Sequence, residues 1–311
     1  MIERDLLHRF IFTHAEDEYA PGTPQASYAG GARGELVQLE AAWQSILSRS
    51  DYPPAVARLL GETAVAAVLL AATLKIDGKL TLQVRADQAD DMSRPGVHLL
   101  VMQVTSAREL RGLARWHGEV EGEGLALMGN GRLVMTIETA RGERYQGIVP
   151  LEGVSLAQAL EGYFARSEQL PTRLWLTAGP TRAAGLLVQK LPGHDSPQDD
   201  EDWNRIVALS DTVTPEELLD LPAETLLHRL YHEEDRRVFD PEGVRFACSC
   251  SRGRVAEMLR SLGKDEVEDI LAEQGKIEVH CEFCNAGYTF DAVDAAALFV
   301  ESPHPGAQGI H

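Results

Sequence analysis

All four cysteines of this 311-residue chain fall between residues 248 and 284, as two tight pairs. Cys248 and Cys250 are separated by one residue, Cys281 and Cys284 by two, and thirty residues lie between the pairs. The surrounding stretch of about 60 residues carries little apolar area, and a domain that small needs a metal or a crosslink to hold its fold. Two knuckle-like pairs on opposite elements can close a tetrahedral thiolate site, the arrangement zinc accepts without geometric preference of its own. Cys248, Cys250, Cys281 and Cys284 are therefore the candidate zinc ligands. An iron–sulfur cluster is an alternative. A thioredoxin-like redox pair is another, but it would place C-x-x-C at the start of a helix after a strand in a larger βαβ unit.

The compartment bears on that choice. The N-terminus, "MIERDLLHRFIFTHAEDEYA", has acidic flanks around a short apolar stretch and no small-residue cleavage site, so it does not read as a signal peptide. The most apolar run, Ala64 to Leu74, is about half a membrane span and reads as a buried helix. A cytoplasmic protein is expected, with no membrane partner. In a reducing cytosol, paired cysteines serve as metal ligands or redox groups more often than as permanent disulfides. The formal charge of −19 argues against nucleic acid as a partner, since that contact needs a basic face.

Residues 1–194 read as one α+β body, a mixed sheet with packed helices. "GELVQLEAAWQSILSR" passes from extended to helical, and "YPPAVARLLGETAVAAVLLAATL" predicts one or two helices opened by Pro53 and Pro54. Leu80, Leu82 and Val84 alternate with polar residues after an Asp77-Gly78 turn. "LALMGNGRLVMTIET" reads as two strands around a Gly129–Gly131 turn. "ERYQGIVPLEG", "TRLWLTAG" and "AAGLLVQKLP" complete the sheet, with Ser155–Leu170 as an intervening amphipathic helix.

Residues 195–243 read as an acidic helical linker with 15 acidic and 4 basic residues, net −11. Thr214, Pro215 and Glu217 form a capping-box start. The apolar stripe (Leu218, Leu219, Leu226, Leu227, Leu230, Tyr231) is thin, so the segment is expected to be marginal unless docked. Residues 244–311 form a third unit. It contains a helix ended by Gly263, a second ended by Gly275, two strands around Cys281 and Cys284, and a tail, "ESPHPGAQGIH", expected to be disordered. His280 reads as a flank of the cysteine set. His228 and His232 stand at i, i+4 in the linker, but without the His-Glu-x-x-His pattern they read as a solvated helix face. No P-loop, nucleophile elbow or dinucleotide fingerprint appears, and no enzyme activity is expected.

The C-x-C pair is unusual among structural zinc knuckles. Thiolates held this close are potential nucleophiles toward peroxide or hypochlorous acid, and a sulfenic acid formed on one has a neighbouring thiol to react with.

These residues resemble a known family, the redox-regulated 33 kDa heat-shock chaperones (33 kDa chaperonins). "LYHEE", "VFDPEGVRFACSCSR", "EVEDILAEQGKIEVHCEFC" and "YTFD" carry the likeness at the C-terminal end. "SDYPPAV", "AATLKIDGKLTLQ", "GNGRLVMTI", "GERYQGIVPLEG" and "YFARSEQLPTRLWL" extend it across the first body. The resemblance implies an ATP-independent holdase that binds unfolding client proteins, is inactive when reduced and zinc-bound, and is active as a homodimer after oxidation. It implies zinc on Cys248, Cys250, Cys281 and Cys284, and redox disulfides Cys248–Cys250 and Cys281–Cys284. Two other readings of the residues stay open: a zinc-bearing binding module that does not switch, and a thiol oxidoreductase.

Overall fold

The computed structural model describes residues 3–13, 31–74, 77–87, 95–129, 131–151, 155–193 and 196–299. The tail beyond residue 300 and Asn130 of the expected Gly129–Gly131 turn lie outside them. The chain forms two compact units, Met1–Ala247 and Cys248–His311.

In the first unit the elements run β1 (Leu6–Phe12), β2 (Ala32–Leu39), α1 (Ala41–Leu47), α2 (Pro54–Thr73), β3 (Gly78–Ala86), β4 (Gly96–Thr105) and β5 (Glu109–His117). They continue as β6 (Gly131–Thr139), β7 (Arg144–Pro150), α3 (Leu156–Tyr163), β8 (Thr172–Ala178) and β9 (Ala183–Lys190). Then come α4 (Pro197–Ser210), α5 (Pro215–Asp220), α6 (Ala223–Tyr231), β10 (Arg236–Val238), β11 (Glu242–Gly243) and β12 (Arg245–Phe246).

The strands make two sheets where the sequence suggested one. The first has the order β10-β1-β2-β9-β8, with β11 also beside β1, and is antiparallel throughout. The second has the order β12-β5-β4-β3-β6-β7, and only its β12–β5 pair is parallel. Periodicity finds strands but not their partition between sheets, which depends on pairings such as β2 with β9, far apart in sequence. The expected strand at "LALM" is instead a 3-10 turn, Gly124–Met128, with Leu125, Leu127 and Met128 buried. Its apolar residues fill the core from a turn, which a short alternating run cannot distinguish from a strand.

Helix α2 is one continuous helix with Pro at its start and fifteen buried residues. It is long and apolar enough to cross a membrane, but it lies inside the unit and packs on strands of both sheets. The approach to β9 is close: a Cβ on Gly185 would lie 2.3 Å from Val65 Cγ1. Alanine-rich turns on α2 and glycine on β9 permit that contact.

The first sheet is covered on both faces, and the alternation along its strands shows it. Val37, Leu39, Ala183 and Leu187 join the main core with α2. Leu36, Ala184, Leu186 and Val188 point the other way, into a second core formed with α4, α5 and α6. Every residue of β9 is buried, as expected for a strand packed on both sides.

The second unit contains α7 (Arg252–Leu262), α8 (Lys264–Gln274), the antiparallel hairpin β13 (Ile277–His280) and β14 (Gly287–Phe290), and α9 (Ala292–Leu298). The helix ends at Gly263 and Gly275 fall where the sequence puts them. The buried core is small: Ala256, Leu259, Val267, Ile277, Phe290 and Ala295. Arg252 reinforces it, lying 4.2 Å over the Phe290 ring, donating to Thr289 O at 2.7 Å and pairing with Asp294 at 2.7 Å.

Candidate metal centre and the covered sheet face

Cys281 to Cys284 occupy the turn between β13 and β14. The turn is closed by Cys281 N donating to Ala286 O (3.0 Å) and Asn285 N donating to Cys281 O (2.7 Å). Asn285 takes a left-handed backbone, φ 57°, which asparagine tolerates better than most residues. Cys248 and Cys250 lie in the extended segment before α7, whose N-cap Ser251 accepts from Arg254 N.

The four Sγ atoms all lie within 4.8 Å of one another, and each cysteine is half-buried and outside any disulfide. The hydrogen-bonded sulfur contacts run across the pairs: Cys248 to Cys281 at 3.6 Å and Cys250 to Cys284 at 3.2 Å. An ion with four sulfurs at about 2.3 Å needs them roughly 3.8 Å apart. The cluster has that scale, and its donors are of the type zinc takes. Burial pushes the Cys284 thiol up to about 12, helped by the sulfurs of Cys250, Cys248 and Cys281 and opposed by the backbone of Ala286. Burial also raises Cys281, against hydrogen bonds from the backbone of Cys284 and Phe283. Thiols crowded in this way need a cation to become four thiolates, so the donor set fits a bound metal.

The structure thus brings together the four cysteines singled out by spacing. It does not bring His280 into the set: His280 is exposed and lies along Gly287, its cross-strand partner. His228 is on α6 and His232 is its C-cap residue, both in the first unit. Tyr288 was not anticipated; its hydroxyl donates to Cys250 Sγ at 3.1 Å. The spacing that could have found it is strand alternation in "NAGYTF", which pairs Tyr288 with Val279.

The second feature is the cover over the first sheet. Ile206, Leu218, Leu226, Leu227, Leu230 and Tyr231 are all 2% exposed or less. Of the stripe that looked thin in sequence all but Leu219, which is half-buried, is thus fully covered, because Leu226, Leu227, Leu230 and Tyr231 fall on one face of α6. Tyr231 stacks edge-on to Phe12 at 5.1 Å and tilted to Phe10 at 5.8 Å, with its hydroxyl 2.6 Å from Ser210 Oγ. Gln38 Nε2 donates to the carbonyls of Leu218 and Leu221, and ion pairs Lys190–Asp200 and Arg182–Asp220 tie the segment to β9 and its preceding turn. The capping box at Thr214 and Glu217 is present as the sequence indicates.

The family model described as "Hsp33 protein" matches residues 24–291. A 33 kDa chaperonin from Nitrosococcus oceani is 48% identical over 305 residues, covering 97% of this chain and 96% of that protein. One from Shewanella loihica is 44% identical, covering 99% of this chain and all of its own length. The crystal structure of the 33 kDa chaperonin of Thermotoga maritima superposes with a TM-score of 0.77 at 21% identity, over 95% of this chain and 98% of that one, which shows the shared fold. The cysteine cluster and two-sheet body therefore belong to a chain of the Hsp33 family, the 33 kDa chaperonins.

Proposed function

We propose that this chaperone is a redox-switched, ATP-independent holdase of the cytoplasm, with no catalytic residues. Residues 1–194 bind clients, residues 195–243 act as a metastable linker, and residues 244–311 sense oxidants. The observation that carries this reading is the meeting of four thiols within 4.8 Å in a unit whose buried core, among the described residues, is five small or medium side chains and the ring of Phe290.

In the reduced state Cys248, Cys250, Cys281 and Cys284 would hold zinc. The ion would neutralise the crowded thiolates and add folding free energy that the small core lacks, by analogy about 10–16 kcal/mol in small zinc domains. Oxidation converts these donors to disulfides Cys248–Cys250 and Cys281–Cys284. In each, one thiolate attacks peroxide or hypochlorous acid and becomes a sulfenic acid. The neighbouring sulfur then displaces that oxygen as water, so one oxidant consumes two thiols. Pairing within each short loop is favoured once the pairs are no longer held together. With its donors oxidised, the unit loses its main support.

The same event is proposed to release α4–α6. Their departure would uncover Phe10, Phe12, Leu36, Leu186 and Val188, a continuous apolar face of the kind that binds unfolding chains. The 195–243 stretch that contains these helices carries net −11, which favours its expansion once undocked. The active form is proposed to be a homodimer, and nucleic acid and membranes are not among its partners. The test is aggregation of a heat-unfolded client, followed by light scattering, with protein kept reduced or treated with peroxide. Suppression by the reduced, zinc-loaded form equal to that by the oxidised form would refute the switch.

A further inference from the structure

His228 and His232 sit on adjacent turns at the end of α6. Their rings are stacked, with centroids 5.7 Å apart and planes 20° apart. Both are exposed. His232 retains helical backbone at the C-cap, φ −66°, ψ −21°. Two imidazoles so placed need only side-chain rotation to offer both nitrogens to one ion, and imidazole suits borderline divalent metals such as zinc, nickel and copper(II). We infer that His228 and His232 form a second, exchangeable divalent-metal site that clamps the last turn of α6. This rests on the proposed role of α4–α6 as the releasable cover.

The surroundings define the kind of site. Among the described residues only the four cysteines make a closed set of three or more metal donors. The histidine pair therefore leaves its remaining positions to water, which makes the site labile rather than structural. Glu224, one turn before His228, and Glu233, 3.8 Å from His232 Nε2, add negative charge nearby. The whole 195–243 stretch, net −11, raises the local concentration of cations.

The consequence follows from position. The opposite face of the same helix buries Leu226, Leu227, Leu230 and Tyr231. Joining residues 228 and 232 through an ion favours the helical form, and that form is the one that covers the sheet. A ligand of the closed form at 100 times its dissociation constant reduces opening about 100-fold. Free metal in the medium would thus set how readily the cover comes off after the cysteines have been oxidised.

The test uses full-length, reduced, zinc-loaded protein titrated with Ni2+, with zinc retention checked by elemental analysis. One additional nickel per chain is expected, and it should be lost in His228→Gln and in His232→Gln separately. In the wild type, saturating nickel should slow amide exchange of residues 226–232 by up to about 100-fold, and should leave exchange in both variants unchanged. Nickel binding that survives either substitution would overturn the site. Binding without slowed exchange would overturn the clamp. Both readouts are independent of chaperone activity, so a chain that passes them yet never protects clients after oxidation would refute the switch and leave the metal site standing.

Discussion

Replacing Leu226 and Leu230 by serine should open the cover without any oxidant. Leu226 is 0% exposed and Leu230 2%, and both pack with Phe10, Phe12 and Leu36 in the second core. Truncating a buried leucine costs about 2–5 kcal/mol. Serine adds the cost of a buried hydroxyl with no designed partner, about 1–3 kcal/mol. The two sites are one turn apart and share neighbours, so their effects will not simply add. Strict additivity of the low-end costs would give about 6 kcal/mol; even one third of that shifts a two-state equilibrium toward open by more than a factor of ten. The assay is limited proteolysis of the reduced, zinc-loaded double variant, beside its suppression of client aggregation. Cleavage should appear first near "DDEDWNR" or "HEEDRRVF", and activity should rise with it. Amide exchange in α2 and β3 should stay slow, because their core is separate from the one perturbed. A double variant whose residues 196–243 stay protected, and which stays inactive until oxidised, would refute the cover as the latch.

Cys281→Ser should lose most bound zinc and speed amide exchange across residues 248–299 while the first unit keeps its protection; a metal-free variant with a protected second unit would contradict this. Peptide mapping after mild peroxide should find Cys248–Cys250 and Cys281–Cys284, although the contacts in the folded cluster run Cys248–Cys281 and Cys250–Cys284; mainly cross-pair bridges would exclude the local switch. Glu35 is fully buried and its carboxyl is pushed up to about 7 by that burial, against a hydrogen bond from Thr73 Oγ1 at 2.6 Å. Its folded pKa lies above its unfolded one, so the folded state binds more protons between about pH 4.5 and 7, and stability falls as pH rises through that window. The penalty at pH 8 is on the order of 3 kcal/mol, and Glu35→Gln should raise Tm there while changing little at pH 4.5; an unchanged Tm at both would show that the carboxyl is not the source.

The clustering of the four cysteines was legible because two tight pairs flanking a small, core-poor stretch leave a characteristic spacing, and spacing survives in sequence. Helix limits at Gly263 and Gly275 and the capping box at Thr214 were legible for a similar reason: each is set by a few neighbouring residues. The division into two sheets was not, because β10 and β11 come from the stretch that reads as linker and β12 from the start of the stretch that reads as the third unit, yet they pair with β1 and β5. Those pairings depend on chain segments more than a hundred residues apart. The depth of burial at Leu226 and Tyr231 was also hidden, since a short amphipathic helix looks the same whether its apolar side meets water or a waiting sheet. Tyr288 shows the same limit at the site itself: its contact with Cys250 exists only once the hairpin and the preceding loop are brought together.

The most direct test of the account measures zinc, free thiols and light scattering of a heat-unfolded client on the same sample as peroxide is added. One zinc and four thiols per chain are expected at the start, with no protection of the client. Loss of thiols and zinc should then proceed together, and suppression of aggregation should rise as they fall. Full oxidation with zinc released and the client still aggregating, or full protection with zinc and all four thiols intact, would contradict it.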